Sequence, residues 1–155
     1  MGKYLNAHFV SSYHKVGTFQ IAGGEKQGGN VASYFCTPDG RVLHAVAGPV
    51  KAATLLREAR WVVETYKLAL LEHPEDATAV RAFVWNAHAE RLRREHGLDL
   101  TRDGGRPAGR LNRQGQVHLL LAAAPLPRLE RVYKLVFENV LGETVSTAPV
   151  VEAGG

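Results

Sequence analysis

Residues 31–48 read VASYFCTPDGRVLHAVAG, and the fold follows from how this stretch is read. Two apolar runs flank the turn Thr37-Pro38-Asp39-Gly40. Val31, Tyr34, Phe35 and Cys36 precede it, and Val42, Leu43, Ala45 and Val46 follow. β-Branched and aromatic residues on both sides of a Pro-Asp-Gly turn predict a β-hairpin. Both arms are nearly continuous in apolar residues, so both faces of the hairpin are expected to be covered. Gly48-Pro49 stops the second strand.

A long amphipathic pattern comes next and predicts a helix from about Val50 to Leu71. Leu55, Leu56, Ala59, Val62, Val63, Tyr66, Ala69 and Leu70 recur at spacings of three and four on one face. Arg57, Arg60, Glu64 and Lys67 lie on the other. His73-Pro74 ends this helix, and a second is expected from Glu75 to His96. Its acidic start and basic end match the helix dipole. Val80, Phe83, Val84, Ala87 and Leu92 form its apolar side, and Gly97 terminates it.

Upstream of the hairpin, residues 1–8 read as the last turn of a helix or an irregular lead-in and Phe9–Val16 as a strand, extended by Thr18–Ile21 after a break at Gly17. Ala22–Asn30 reads as a loop, because four of its nine residues are glycine. Downstream, Thr101–Gly115 is rich in glycine and arginine and reads as an exposed linker. Val117–Ala124 is apolar, and periodicity leaves strand and helix both open. Pro127 opens a last helix to about Leu141, with Leu129, Val132, Tyr133, Val136, Val140 and Leu141 as its stripe. A loose tail follows.

The chain has 155 residues, of which 45% are hydrophobic, enough for one core and too apolar for a disordered chain. The net charge of +4 permits anionic partners without requiring them. One cysteine, Cys36, excludes an intramolecular disulfide, a Cys-x-x-Cys pair and a multi-cysteine zinc site. No signal peptide or membrane span is visible, so a soluble, cytoplasmic protein is expected.

Four features carry chemistry. Cys36 is the candidate catalytic residue, although a small buried hydrophobe is the simpler role for a cysteine with no basic neighbour. The glycine-rich loop offers Lys26 and Asn30 as ligand contacts, but it lacks the ending of a Walker loop. Of the seven histidines, His8, His14 and His44 lie where they could meet across a sheet. No pair has the i, i+4 spacing of a helical zinc site, so no metal and no cofactor is expected. Arg91, Arg93 and Arg94 run into a segment carrying Arg102, Arg106, Arg110 and Arg113, which could track a phosphate backbone. Interleaved aromatics are missing, and acidic residues dilute the charge.

The order strand, hairpin, amphipathic helix resembles the second half of the thioredoxin fold. The resemblance rests on Leu5-Asn6-Ala7-His8-Phe9-Val10, on Val31–Gly48 and on the Val50–Leu71 helix, and covers about residues 4–70. It implies an α/β fold: a partial thioredoxin-like sheet in residues 1–72, a helix in 73–100, a linker in 101–115 and a C-terminal helical extension in 116–155. The family's redox Cys-x-x-Cys has no counterpart here. Gly29, Asn30 and Val31 stand where its cis-proline would be, so no catalytic residue is carried over. The front of the fold would lie before Met1. The resemblance thus implies a non-catalytic binding or assembly domain with a protein or a second copy as partner, and with the C-terminal helices or a second copy covering the open sheet. The alternatives are a single-thiol redox protein using Cys36 and nucleic-acid binding through Arg91–Arg113.

Overall fold

A computed structural model describes residues 1–14, 20–27, 30–107 and 109–145. The fold is mixed helix and strand. In chain order it comprises α1 (Gly2–His8), β1 (Gln20–Ala22), β2 (Glu25–Gln27), β3 (Ala32–Cys36), β4 (Val42–Ala47), α2 (Ala52–Glu72), α3 (Ala77–His96), α4 (Arg113–Ala123) and α5 (Leu129–Leu135). A π-helical turn, Val136–Val140, extends α5.

The expected hairpin forms, with β3 and β4 antiparallel and Ala32 opposite Ala47. A bulge interrupts the register. Phe35 faces His44 and Cys36 faces Val42, so Leu43 has no partner across the ladder. All six residues of β4 are buried. On one side Leu43, Val46 and Phe35 pack with Ala59, Val62, Val80 and Val84 of α2 and α3. On the other side Val42, Ala45 and Ala47 pack with Val117, Leu121, Val136 and Phe137 of α4 and the π-helical turn. The hairpin is therefore the middle layer between two helical layers. The backbone of the C-terminal segment joins it too, through Val42 N–H to Pro127 O at 2.8 Å and Leu129 N–H to Gly40 O at 3.1 Å.

Several expectations change. Phe9–His14 forms no strand: Val10 and Tyr13 are fully exposed, and only Phe9 packs inward, on the Phe35 ring. Residues 15–19 of that proposed strand lie outside the described residues, as do Gly28, Gly29 and the tail from residue 146. The glycine-rich loop contains a second hairpin, β1 with β2, whose two-residue turn uses Gly23 and Gly24 at φ +61 and +81. In α2, Leu70 is 45% exposed, and the buried stripe instead includes Glu58.

The expected linker ends early. Asn112 caps α4 by accepting from Gly115 N–H, so Arg113–Gly115 belong to the helix and Gly115 is buried. Residues 117–123 resolve as helix. They pack into the same core as β4 and do not stand apart as an extension. Among the described residues no helix is long and apolar enough to cross a membrane.

Gly48 turns the chain out of β4 at φ +86, and a Cβ there would lie 2.9 Å from Arg113 Nη1. The Arg113 tip can swing away, so the backbone conformation sets the cost. Gly48→Ala is expected to lower stability by about 1–2 kcal/mol. A urea midpoint that falls at unchanged slope would verify this.

Candidate metal centre

Six side chains from four elements meet where β4 lies between the helical layers: His44 of β4, Glu58 and Trp61 of α2, His88 and Arg91 of α3, and His118 of α4. His44, Glu58, His88 and His118 are each no more than 1% exposed. Each sits on an apolar pattern that drives it inward. His44 interrupts the buried run of β4. His88 lies between Val84 and Leu92 on the buried side of α3, and His118 beside Val117 and Leu121 on α4.

Glu58 is the electrostatic anchor. Arg91 grips it with two bonds, Nη1 to Oε2 at 2.6 Å and Nη2 to Oε1 at 3.1 Å. Arg57 adds bonds to Oε1 from the surface side. Arg91 also bonds Glu95 and lies over the Trp61 ring at 4.7 Å. Burial by itself would raise the Glu58 pKa, but hydrogen bonds from His44 and Arg91 outweigh it and hold the carboxyl below its ordinary range. An ionised Glu58 only accepts. His44 Nε2, 3.0 Å from Glu58 Oε2, must therefore carry the proton, which leaves Nδ1 bare. The Gln114 amide nitrogen beside it at 3.2 Å then donates to Ala45 O.

The same reasoning assigns the other two rings. His88 Nε2 lies 2.9 Å from the carbonyl of Leu43, the bulged residue, and donates to it. His88 Nδ1 is therefore bare and accepts from His118 Nδ1–H at 2.8 Å, which leaves His118 Nε2 bare as well. His44 Nδ1 and His118 Nε2 are buried and bond no protein atom. Burial lowers the pKa of all three histidines. Repulsion from His44 and Arg91 adds to this at His88, which falls to about 3, and at His118. All three are neutral imidazoles at pH 7, the form that ligates metals.

The three histidines offer ligand atoms that all lie within 4.8 Å of one another. In a tetrahedral zinc site with Zn–N of about 2.0–2.1 Å, ring centroids of co-ligands are about 5.2 Å apart. The observed separations are 4.9 Å for His44–His118, 5.1 Å for His88–His118 and 5.7 Å for His44–His88. The second shell also fits: His44 donates its other N–H to a carboxylate and His88 to a backbone carbonyl, as ligating histidines do. Co-ligand nitrogens are about 3.3 Å apart at such a centre, so with His88 and His118 both ligating through Nδ1 their contact would open by about 0.5 Å and the His118 proton would move to Nε2.

Of the residues singled out in sequence, His44 and Arg91 lie at this site and the others lie elsewhere. Cys36 is half-buried at the end of β3, where burial and the Glu130 carboxylate raise its pKa, the opposite of an activated thiol. Lys26 sits in β2 opposite Ile21. Asn30 is tied to Glu143 through its backbone N–H and its Nδ2. His8 and His14 are exposed. The arginine run does not present one basic face, because Arg91 turns into the core and Arg93 pairs with Glu90 at 2.7 Å. Arg102, Arg106 and Arg110 are exposed on the loop, and Arg113 lies in the first turn of α4 near Gly48.

No family model, curated protein or solved structure matches this chain.

Removing Glu58 would leave the buried Arg91 cation with Glu95 as its remaining carboxylate and take the acceptor from His44 Nε2–H. Glu58→Ala is expected to cost about 3–5 kcal/mol. Adding Arg91→Met should recover part of this, giving non-additivity in a double-mutant cycle read by urea unfolding.

The imidazoles also set a pH dependence. Unfolded histidines titrate near 6.5, and burial lowers the folded ones from that value, His88 to about 3. Between those values the unfolded chain binds protons that the folded chain does not, so stability is complete above about pH 6.5 and falls as pH drops. The expected slope in chelator-treated protein approaches about 1.4 kcal/mol per pH unit for each histidine. Denaturant midpoints at pH 7.5, 6.5 and 5.5 measure it, and a flat profile would contradict the assignment.

Proposed function

We propose that this chain is a metal-binding domain in which His44, His88 and His118 hold one divalent late first-row transition ion, zinc first, in a non-catalytic role. The carrying observation is three neutral, buried imidazoles at co-ligand spacing, with His44 Nδ1 buried and without a protein partner. Imidazole donors select zinc, cobalt, nickel or copper over magnesium or calcium. The non-catalytic role follows from burial, because substrate has no approach to ligands that are 0–1% exposed. The ion would cross-link β4, α3 and α4, elements that otherwise meet only through packing and hydrogen bonds, and so add binding free energy to stability.

The hairpin packed beneath α2 also supports a second reading, the thioredoxin-like assembly domain with a protein or a second copy as partner. Assembly of that kind needs no metal, so a metal titration separates the two.

Tag-free protein is expected to take up one equivalent of zinc. At a free concentration 100 times the Kd, zinc should stabilise the fold by about 2.7 kcal/mol. Magnesium and calcium should do neither. His88→Ala and His118→Ala should abolish uptake. Elemental analysis with thermal melts reads both effects. Absence of any shift with zinc, cobalt, nickel and copper would overturn the metal reading and leave the assembly reading in place.

A further inference from the structure

We propose that His96 positions this centre from outside its coordination shell: His96 Nε2 accepts the Nε2–H of His118 while His118 holds the ion through Nδ1. The inference rests on the metal reading above and names the acceptor that its third ligand needs.

A ligating histidine donates its other ring N–H to an acceptor, which orients the ring and raises its basicity. His44 has the Glu58 carboxylate for this and His88 the Leu43 carbonyl. His118 has no such partner. Its Nδ1 faces His88 Nδ1 at 2.8 Å, so an ion there displaces the Nδ1 proton, and Nε2 takes one up. The exchange leaves the ring neutral and turns a buried acceptor into a buried donor, which is costly until it finds an acceptor.

Among the described residues three buried side-chain nitrogens or oxygens lack a protein partner: His44 Nδ1, His118 Nε2 and His96 Nε2. The ion takes the first. The other two belong to adjacent rings, His96 and His118, with centroids 6.0 Å apart. Among the described residues His96 has a ring contact with His118 and with neither His44 nor His88, so it stands beside the third ligand and outside the shell. One bond from His118 Nε2–H to His96 Nε2 satisfies both atoms. Of the two His96 nitrogens only Nε2 is both buried and unbonded, which leaves Nδ1 to carry that ring's proton.

The fold gives this ring a seat. Gly115 stands in the first turn of α4, and its φ is not positive, so backbone conformation does not require glycine. Space does: a Cβ there would lie 3.0 Å from His96 Nδ1 and 3.2 Å from Cγ. Helix α4 carries both this seat and His118, which keeps acceptor and ligand in register. The bonded rings of His88 and His118 set the scale, with centroids 5.1 Å apart. His96 stands 0.9 Å farther from His118 than that. It is the last residue of α3, followed by Gly97 in the left-handed conformation, where intrahelical bonding ends, so it closes this distance without disturbing a following turn.

The experiment compares wild type with His96→Ala and His96→Gln, all tag-free. Zinc affinity is measured by chelator competition, and the visible d–d spectrum of the cobalt(II) form is recorded. Melting of each chelator-treated protein confirms folding. His96→Ala is expected to bind zinc about 10–100-fold more weakly. Its cobalt bands should match the wild type, because the donor atoms are the same. His96→Gln restores an acceptor at its amide oxygen and should recover part of the affinity. NMR of nitrogen-labelled wild type should show His118 protonated at Nε2 in the zinc form and at Nδ1 after chelation. Unchanged zinc affinity in His96→Ala, or His118 protonated at Nδ1 in the zinc form, would overturn the role of His96 and leave the three-histidine centre intact. Altered cobalt bands in His96→Ala would make His96 a ligand and overturn the role likewise. A wild type that binds neither zinc nor cobalt would overturn the centre itself.

Discussion

Strand β4 is buried on both faces, and that constraint organises the molecule. A strand so enclosed cannot leave backbone polar groups to water, so each must find a protein partner. The bulge leaves Leu43 unpaired across the ladder, and His88 from α3 bonds its carbonyl. Gln114 from α4 bonds the carbonyl of Ala45. The helical layers are thus joined to the strand by directed bonds as well as by apolar contact. The His88 bond also decides which nitrogen of that ring faces the centre.

The Glu58–Arg91 pair is the second tier of this arrangement. Buried ion pairs are weak sources of stability, because desolvation offsets much of the attraction. Here the pair has another consequence. It keeps an acceptor-only carboxylate beside His44 and so holds that ring in the Nε2–H tautomer. Trp61 lies edge-on to all three imidazoles and beneath the Arg91 guanidinium, separating the site from solvent on the α2 side. The lowered pKa values of the histidines follow from this enclosure.

Much of the site had a trace in the sequence, though not where metal sites are ordinarily sought. Two histidines at i, i+4 on one helix are absent because the ligands come from one strand and two helices. The trace was of another kind: ionisable residues at positions where helical spacing demands apolar ones. His88 is four residues from both Val84 and Leu92, Arg91 adjoins Leu92 on the same side, and Glu58 falls between Leu55 and Val62. A stripe drawn only through apolar residues steps over them. His44 stood within the strand that was read as buried, and its burial was legible. Its partners were not, because sequence spacing says nothing of which helix crosses which strand. The glycine at position 115 was read as flexibility, whereas its role is to leave room for a ring nineteen residues earlier in the chain.

By itself the sequence determined the local elements whose physics is local: the Pro-Asp-Gly hairpin, the two long helices with their stops at His73-Pro74 and Gly97, and the closing helix before Gly142. Turn chemistry, side-chain periodicity and helix caps act over a few residues and are written in them. Only the tertiary structure decided that residues 113–123 join the core as a helix, that Glu58 and Arg91 face inward, and that His44, His88 and His118 converge. Those outcomes depend on contacts between residues 14 to 74 positions apart in the chain. The energy of such contacts comes from desolvation and pairing once the layers close, and no short stretch of sequence contains it.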